Sequence, residues 1–185
     1  MKFLVIRGLP GSGRSTLAQQ LAQGGMVLSL DQYLKQPPPG SDIFTSGHIG
    51  YAWAELYQAV AAQVAAATPR IIVETISVHL WEVRDLWRLA EAAGYAVDAA
   101  EPQTPWARDP KRCMEKTHLV VSRASMKRLV EDWEGPATRE TVEQAMSPEE
   151  RLQQMRWLAS RADSVRTLEE QQNLERFVME NFSRR

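Results

Sequence analysis

The stretch KFLVIRGLPGSGRSTLAQQLA, residues 2–22, decides the fold of this chain. A short apolar run leads into a glycine-rich turn, and the turn leads into a segment whose apolar residues recur at helical spacing. Within it, GLPGSGRST at residues 8–16 has the spacing of the phosphate-binding pattern G-x-x-x-x-G-K-[ST], with Arg14 in the place of the lysine. Because the pattern follows a predicted strand and opens a predicted helix, we interpret it as a loop that binds the phosphates of a nucleotide.

This phosphate loop, residues 8–16, supplies the groups that a polyphosphate needs. Its glycines allow backbone N–H groups to converge on the phosphates, and the helix that begins near Arg14 directs the positive end of its dipole at them. The Ser15 hydroxyl is placed to bind Mg²⁺. The residues predicted to bind the nucleotide are Gly8, Gly11, Ser12, Gly13, Arg14, Ser15 and Thr16.

Arg14 is the departure from the pattern. A lysine acts there as a compact point charge, whereas a guanidinium is planar, wider and inclined to bind two oxygens at once. Either the site accommodates the arginine and transfers phosphate, or it binds nucleotide without useful turnover. We favour the active site because the sequence retains other catalytic groups, and we consider Lys2, Arg7 and Lys35 as cations that assist Arg14.

Strands and helices alternate downstream of the loop, which predicts an α/β fold with a parallel sheet flanked by helices. The predicted strands are MVLSL at 26–30, RIIVET at 70–75 and YAVDAA at 95–100, and the helices between them cover 48–67 and 79–93. Ligands of such sheets bind at the carboxyl ends of the strands. We therefore look for catalytic groups directly after each strand.

Two carboxylates occupy such positions. Asp31 follows the second strand, where it can accept the proton of a hydroxyl and orient the oxygen towards the γ-phosphorus, although a helix cap or loop aspartate is the alternative. Glu74 ends the third strand and is a candidate to hold Mg²⁺ through a water molecule or to contact the acceptor. Its alternative role is that of a capping carboxylate.

Positive charge is concentrated in residues 107–128, which hold seven Lys and Arg against two acidic residues, although the whole chain has a net charge of −1. A solvated helix face is one interpretation, and a surface that faces phosphates is the other. With a phosphate loop upstream, we favour a helical lid at about 107–123 that neutralises the transferring group. The lid cations predicted to act in catalysis are Arg112, Lys116 and Arg123, with Lys111 as a further candidate.

Aromatic side chains offer a base-stacking surface, for which Trp53, Trp106 and Trp133 are candidates, although core packing is the commoner role. The single cysteine, Cys113, excludes an intrachain disulfide framework. The three histidines lack the spacing of metal ligands. No apolar run approaches the roughly 18 residues that a membrane span needs, so we expect a soluble, cytoplasmic protein with no membrane partner.

The C-terminal part carries two helix-start signals. Ser147 with Glu150 forms a capping box around a proline at the first helical position, and Thr167 with Glu170 forms a second box. We predict two C-terminal helices within an extension at 135–185, packed on the domain formed by residues 1–134.

Four segments in this order resemble the polynucleotide-kinase-like P-loop kinases, a family that includes phage polynucleotide 5′-kinases. The likeness covers about residues 3–134 and is carried by RGLPGSGRST, by SLDQY, by IIVET followed by Trp81-Glu82, and by VVSRASMKRLVEDWE. The resemblance implies a P-loop kinase fold with a four-stranded parallel sheet, ATP with Mg²⁺, and phosphate transfer to a hydroxyl. It also implies that Asp31 is the general base and that residues 109–123 form the lid.

The departures from the family concentrate on the acceptor side. Gln32, Leu34, Glu74-Thr75 and Lys116 replace residues that are usual there, besides Arg14 in the loop. Our first hypothesis is an ATP-dependent phosphotransferase acting on a nucleic-acid hydroxyl, favouring DNA, at a 5′ end or a hydroxymethylated base. A kinase of a nucleoside or other small hydroxyl compound is the alternative, and a nucleotide-binding module with weak catalysis is the third. The phage resemblance makes a phage-infected host cell one setting for it.

Overall fold

A computed structural model of the chain describes residues 1–34 and 46–162. Its strands are β1 (Lys2–Arg7), β2 (Met26–Ser29), β3 (Arg70–Thr75) and β4 (Ala96–Ala100). Its helices are α1 (Arg14–Ala22), α2 (Leu30–Leu34), α3 (Ser46–Ala65), α4 (Trp81–Ala92), α5 (Pro110–Lys116), α6 (Arg123–Glu131), α7 (Arg139–Gln144) and α8 (Pro148–Ala162).

The four strands form one parallel sheet in the order β2-β3-β1-β4. Ile6 pairs with Glu74 of β3 and with Ala100 of β4, and Glu74 also pairs with Ser29 of β2. The carboxyl ends of the strands are therefore level, so the residues that follow them meet at one edge of the sheet. The predicted α/β fold with a four-stranded parallel sheet is confirmed.

Alternate residues of β1 pack on opposite faces of the sheet, as the two-residue repeat of a strand requires. Phe3 and Val5 belong to the main core, which also contains buried side chains of α3 and α4. Leu4 and Ile6 pack in a smaller core with Ala18 of α1. Helices on both faces thus fix β1, and the loop between β1 and α1 lies at the carboxyl edge.

Asp31 lies in a helix, which differs from the predicted position directly after a strand. The second strand ends at Ser29, one residue earlier than predicted, and Leu30 opens the five-residue helix α2. Asp31 is in the first turn of this helix, where the dipole favours a carboxylate. The short helix fixes the backbone that carries the predicted base.

The C-terminal helices match the prediction in part. The sequence patterns do not predict α7, whose first turn is held by hydrogen bonds in both directions between Thr138 and Thr141. Threonine replaces the Glu or Gln that marks such a capping box in a sequence. α8 begins at Pro148, as the box at Ser147 predicts, and the helix predicted from Thr167 lies outside the described residues.

The chain divides into two compact units, Met1–Ala145 and a second unit that begins at Met146. α7 belongs to the first unit, where the Arg88 side chain of α4 donates to the Glu143 carboxylate. The predicted packing of the C-terminal helices on the sheet domain stays a prediction. Within residues 1–34 and 46–162, no helix is both long enough and apolar enough to cross a membrane.

Candidate phosphate and catalytic site

The phosphate loop has a shape that requires glycine at three positions. Gly11 and Gly13 have φ angles of 79° and 102°, in the left-handed region that residues with a Cβ avoid. At Gly8 the reason is space, because an added Cβ would lie 2.6 Å from Ser12 Oγ and 2.7 Å from Arg14 Cγ. The Arg14 side chain passes directly over Gly8, so the loop and the arginine are built around each other.

Arg14 links the two carboxylates that the sequence patterns single out. Its side chain is almost fully buried, with 3% of the residue exposed. Nη2 donates to both oxygens of Asp31 at 3.0 Å, and Nη1 lies 3.9 Å from Glu74 Oε1. One guanidinium thus connects the first turn of α2 with the end of β3, a geometry that the single nitrogen of a lysine does not provide.

Ser15 and Glu74, the two predicted magnesium ligands, are also adjacent. Ser15 Oγ donates to Glu74 Oε1 at 2.8 Å. A hydroxyl beside a carboxylate offers the oxygen donors that Mg²⁺ prefers, and Mg²⁺ usually completes its shell with water and phosphate oxygens rather than a full protein cage. Residues 1–34 and 46–162 contain no group of three or more His, Cys, Asp or Glu arranged around a metal position.

Three buried polar atoms around the loop have no hydrogen-bond partner among the described residues: Ser12 Oγ and the Nε and Nη1 atoms of Arg14. Buried polar groups are normally satisfied, so such a cluster calls for an explanation. All three can donate a hydrogen bond, and they lie at the N-terminus of α1, where the dipole attracts negative charge. The arrangement fits an anion with several oxygen acceptors, as a nucleotide phosphate is.

The connection from β4 to α5 holds the loop from the other side. Thr104 Oγ1 donates to Ser12 O at 2.9 Å, and Trp106 Nε1 donates to Gly11 O at 3.2 Å. α5 itself lies against Gly11, because a Cβ added there would overlap the carbonyl oxygen of Cys113. The first helix of the predicted lid therefore contacts the phosphate loop through backbone atoms.

The predicted lid cations differ in the groups that they contact. Lys116 Nζ is 4.5 Å from the centre of the Trp106 ring, and Trp106 is bonded to the loop. Arg112 is exposed and lies 3.7 Å from the Asp109 carboxylate. Arg123 is exposed at the start of α6 and has no ion pair with any described residue. Of the three, Lys116 is the one that contacts a side chain hydrogen-bonded to the loop.

Arg7 has a structural role, which corrects the expectation that it assists Arg14. It is fully buried and donates to the carbonyl oxygens of Ser77, Val78 and Gly135, each at 3.0 Å. Burial lowers the pKa of its guanidinium, and the charge of Glu101 counteracts part of that effect. Arg7 therefore joins β1 to two loops of the first unit. Lys35 lies outside the described residues.

Trp133 packs against the side chains of Arg7 and Arg108. Arg7 and Arg108 lie 4.7 and 5.1 Å from the centre of its ring. Nearby, Glu134 accepts a hydrogen bond from Leu80 N at 2.6 Å. These contacts anchor the segment that follows β3, the strand that carries Glu74.

Sequence reasoning did not find the contacts of Thr104 and Trp106 with the loop. Trp106 carries a signal only as an aromatic residue that could stack on a base, and Thr104 carries none. Their partners, Gly11 and Ser12, are more than 90 residues away in the sequence. Such contacts depend on the path of the chain between β4 and α5, which no local pattern specifies.

A family model described as an AAA domain, AAA_33, matches residues 3–134 of this chain. Human NEDD4-binding protein 2 is 30% identical over 137 residues, which are 71% of this chain and only 8% of that protein. Among solved structures, a chain of the Pnkp1/Rnl/Hen1 RNA repair complex superposes with a TM-score of 0.55 at 18% identity, covering 71% of this chain and 43% of that one. A sugar kinase from Janibacter sp. HTCC2649 superposes with a TM-score of 0.53 at 18% identity, covering 86% of this chain and 95% of that one.

The structural matches share the fold described above, and the family match spans the phosphate loop, the sheet, α5 of the predicted lid and α6. The resemblance inferred from sequence is therefore confirmed. The chain belongs to the family described as an AAA domain, and a solved sugar-kinase structure shares its fold.

Proposed function

We propose that this chain is an ATP-dependent kinase that uses Mg²⁺ and transfers the γ-phosphate to a hydroxyl, with nucleic acid as the favoured acceptor. One observation carries the proposal: Arg14, Ser15, Asp31 and Glu74 are joined by hydrogen bonds and an ion pair at the N-terminus of α1. These groups supply a cation for phosphates, oxygen ligands for Mg²⁺ and a carboxylate base. The binding of phosphate, the binding of metal and the removal of a proton are thus combined at one edge of the sheet.

The phosphate loop binds the nucleotide in this proposal. Backbone N–H groups at Gly11 and Gly13 and at the start of α1, with the side chains of Ser12, Arg14 and Thr16, hold the phosphates. The unpartnered donors of the Ser12 and Arg14 side chains support that role. Ser15 and Glu74 hold Mg²⁺, Glu74 through a water molecule. The metal supplies positive charge that offsets the charge of the phosphates.

Asp31 acts as the general base. The acceptor oxygen forms a bond to the γ-phosphorus, the bond from that phosphorus to the β–γ bridging oxygen breaks, and the acceptor proton goes to Asp31. ADP is the leaving group. In the structure, Arg14 donates to both oxygens of Asp31. A phosphate that attracts the guanidinium frees the carboxylate, so nucleotide binding prepares the base.

The lid cations neutralise charge during transfer. Lys116 is the nearest of them, because it rests on the tryptophan bonded to the phosphate loop. Arg112 and Arg123, like Lys116, are exposed to solvent, where they can meet the charge of a bound nucleotide. Such stabilisation acts on the charge spread over the transferring group and requires no covalent chemistry.

The exposed cations of α5 and α6 support nucleic acid as the acceptor. Lys111, Arg123 and Arg128 are exposed and form no ion pair within the described part of the chain. Unpaired surface cations attract a polyanion, and several of them in one region suit an acceptor with several phosphates. The fold shared with a chain of an RNA repair complex favours the same class.

A small hydroxyl compound is the second candidate acceptor. The sugar kinase of the same fold matches over most of both chains, since the superposition covers 86% of this chain and 95% of that one. A small acceptor needs no extended cationic surface. Its transfer reaction should therefore respond little to salt, in contrast to a polymer acceptor.

The test is transfer of γ-labelled phosphate from ATP with Mg²⁺ to separate acceptors. These are a 5′-hydroxyl oligonucleotide, DNA with hydroxymethylated pyrimidines, free nucleosides and sugars. We expect label on a nucleic acid, with a rate that falls steeply as salt rises. Label only on small compounds would replace the acceptor, and no label on any of them from protein that binds ATP would favour the weakly catalytic binding module.

A further inference from the structure

Two neighbouring carbonyl groups of the phosphate loop are held by one segment outside it. Trp106 Nε1 donates to Gly11 O, and Thr104 Oγ1 donates to Ser12 O, at 3.2 and 2.9 Å. We infer that Trp106, together with Thr104, is a positioning residue that fixes the orientation of these peptide groups and thereby sets the affinity of the loop for nucleotide. This inference rests on the function proposed above.

The physical reason lies in the two ends of each peptide group. A loop binds phosphate when its N–H groups point inwards, and the carbonyl groups of the same peptides must then point outwards. Outward carbonyls need hydrogen-bond donors, because a buried carbonyl without a partner is costly. Trp106 and Thr104 supply those donors at two consecutive residues, Gly11 and Ser12. The first peptide group is also held through its N–H, because Ser12 N donates to Leu9 O at 3.1 Å and closes a turn of the loop. The second peptide group carries the Gly13 N–H, which is the one that its outward carbonyl turns towards a phosphate. A loop without them would turn its carbonyls in part of the time, towards the negative phosphates.

Trp106 also connects the loop to the lid. Cys113 Sγ of α5 donates to Trp106 O at 3.2 Å, and the Lys116 ammonium lies 4.5 Å from the centre of the Trp106 ring. An ammonium over an indole face is held only weakly at an exposed site. That hold is weak enough for a phosphate to remove Lys116 from the ring. Trp106 thus keeps a lid cation beside the loop while its N–H holds the loop in shape.

Other tryptophans of the same unit lack this arrangement. The buried indole nitrogens of Trp87 and Trp133 have no hydrogen-bond partner among the described residues. Trp87 belongs to the main core, and Trp133 packs against arginines. Trp106 is only partly buried, yet its nitrogen is directed at the phosphate loop. Packing alone does not require that direction.

The experiment is direct titration of the full chain with MgATP, together with a melting curve of each variant without nucleotide. Trp106→Phe keeps a ring for Lys116 and removes the indole N–H, and Thr104→Val removes the other donor. We expect each variant to bind MgATP about tenfold more weakly, which corresponds to one hydrogen bond. The loss of affinity in the double variant should be smaller than the product of the two single losses, since both donors act on one loop.

Two controls separate positioning from folding. Thr104→Ser keeps the hydroxyl and should retain wild-type affinity. If Trp106→Phe does not fold, the comparison of Thr104→Val with Thr104→Ser therefore carries the test. Trp87→Phe removes an indole from the core and should lower the melting temperature without changing affinity. Wild-type affinity in folded Trp106→Phe and Thr104→Val would overturn the inference alone. Absence of MgATP binding by the wild-type chain would instead contradict the proposed function on which it rests.

Discussion

The phosphate loop and the lid of the first unit treat their cations in opposite ways. Arg14 of the loop is 3% exposed and donates to both oxygens of Asp31. Arg123 of the lid is exposed and has no ion pair with a described residue. The loop therefore holds its cation in a buried ion pair, whereas the lid exposes Arg123 to solvent. A kinase of the proposed kind would use both, because a fixed cation avoids reorganisation during transfer and an exposed cation attracts the charge of an incoming substrate.

The difference between the two regions also explains why arginine is compatible with this loop. A guanidinium reaches Asp31 and Glu74 at once, so the unusual residue is part of a three-member network. A decayed site would not be expected to keep an arginine enclosed by two carboxylates. The departures from the family on the acceptor side accompany this network, since Glu74 is itself one of them.

The largest expected loss of MgATP affinity comes from a side chain added where α5 of the lid contacts the phosphate loop. Gly11→Ala places a methyl group against the carbonyl of Cys113 and also imposes a side chain at a φ of 79°. We expect MgATP affinity to fall by about 100-fold or more, because strain and collision add at the phosphate site. Gly24→Ala is the matched control, since Gly24 has a φ of 81° with no atom within 4 Å of an added Cβ. Equal falls in affinity in both variants would mean that the contact of α5 with the loop is unimportant.

Asp31→Asn tests the pre-assembled side alone. The amide keeps the shape of the side chain but accepts no proton, so we expect phosphate transfer to fall by about 100-fold while MgATP affinity stays nearly constant. The measurement is the transfer rate at saturating MgATP beside a direct binding titration. Asp85→Asn, at an exposed position of α4, serves as the control. Unchanged turnover in Asp31→Asn would remove this carboxylate from the mechanism.

The lid is tested by its response to salt. Lys111→Ala with Arg123→Ala removes two exposed cations, and we expect about tenfold weaker binding of a single-stranded oligonucleotide at low salt. The slope of log affinity against log salt should become shallower by about 0.7 for each phosphate that the variant no longer neutralises. Lys2→Ala, at the opposite end of β1, should change neither quantity. A slope that the double variant leaves unaltered would argue against nucleic acid as the acceptor.

Cys113 gives a smaller readout at the junction of the two regions. Burial raises the pKa of its thiol above the ordinary 9.0, with the charge of Asp109 adding to the effect. We expect alkylation at pH 8 to be at least about tenfold slower than in the unfolded chain. The raised pKa stabilises the fold fully below pH 9.0, and this contribution is lost as pH rises through the folded value. Rapid alkylation in the folded state would show that α5 readily leaves the loop.

Much of the architecture could be predicted because it is written in local patterns. The glycine spacing of residues 8–16 and the apolar periods around it specify the strand, the loop and α1. The position of Glu74 follows from the end of a strand in a parallel sheet, and its nearness to Ser15 follows from the level strand ends. These are consequences of periodicity and of sheet geometry, so they need no knowledge of distant contacts.

The remainder depends on contacts between distant parts of the chain. Arg7 and Arg14 are both arginines at the carboxyl edge of the sheet, and nothing local tells that one joins loops and the other faces carboxylates. Trp106 offers an aromatic ring in the sequence, whereas its contribution in the structure is an N–H aimed at Gly11. The direction of a side chain is set by tertiary packing, which a single sequence does not display.

Arg14→Lys tests most directly whether the loop is adapted to its arginine. The measurement is the rate of phosphate transfer at saturating MgATP, with MgATP affinity determined in parallel. A lysine offers one nitrogen in place of a fork, so it cannot hold Asp31 and remain near Glu74 together. We predict a transfer rate about tenfold lower in Arg14→Lys, which corresponds to roughly one hydrogen bond. A rate equal to or above that of the wild-type chain would contradict the claim that the loop is adapted to Arg14. It would show that arginine is a less effective substitute for the lysine of the ordinary phosphate loop.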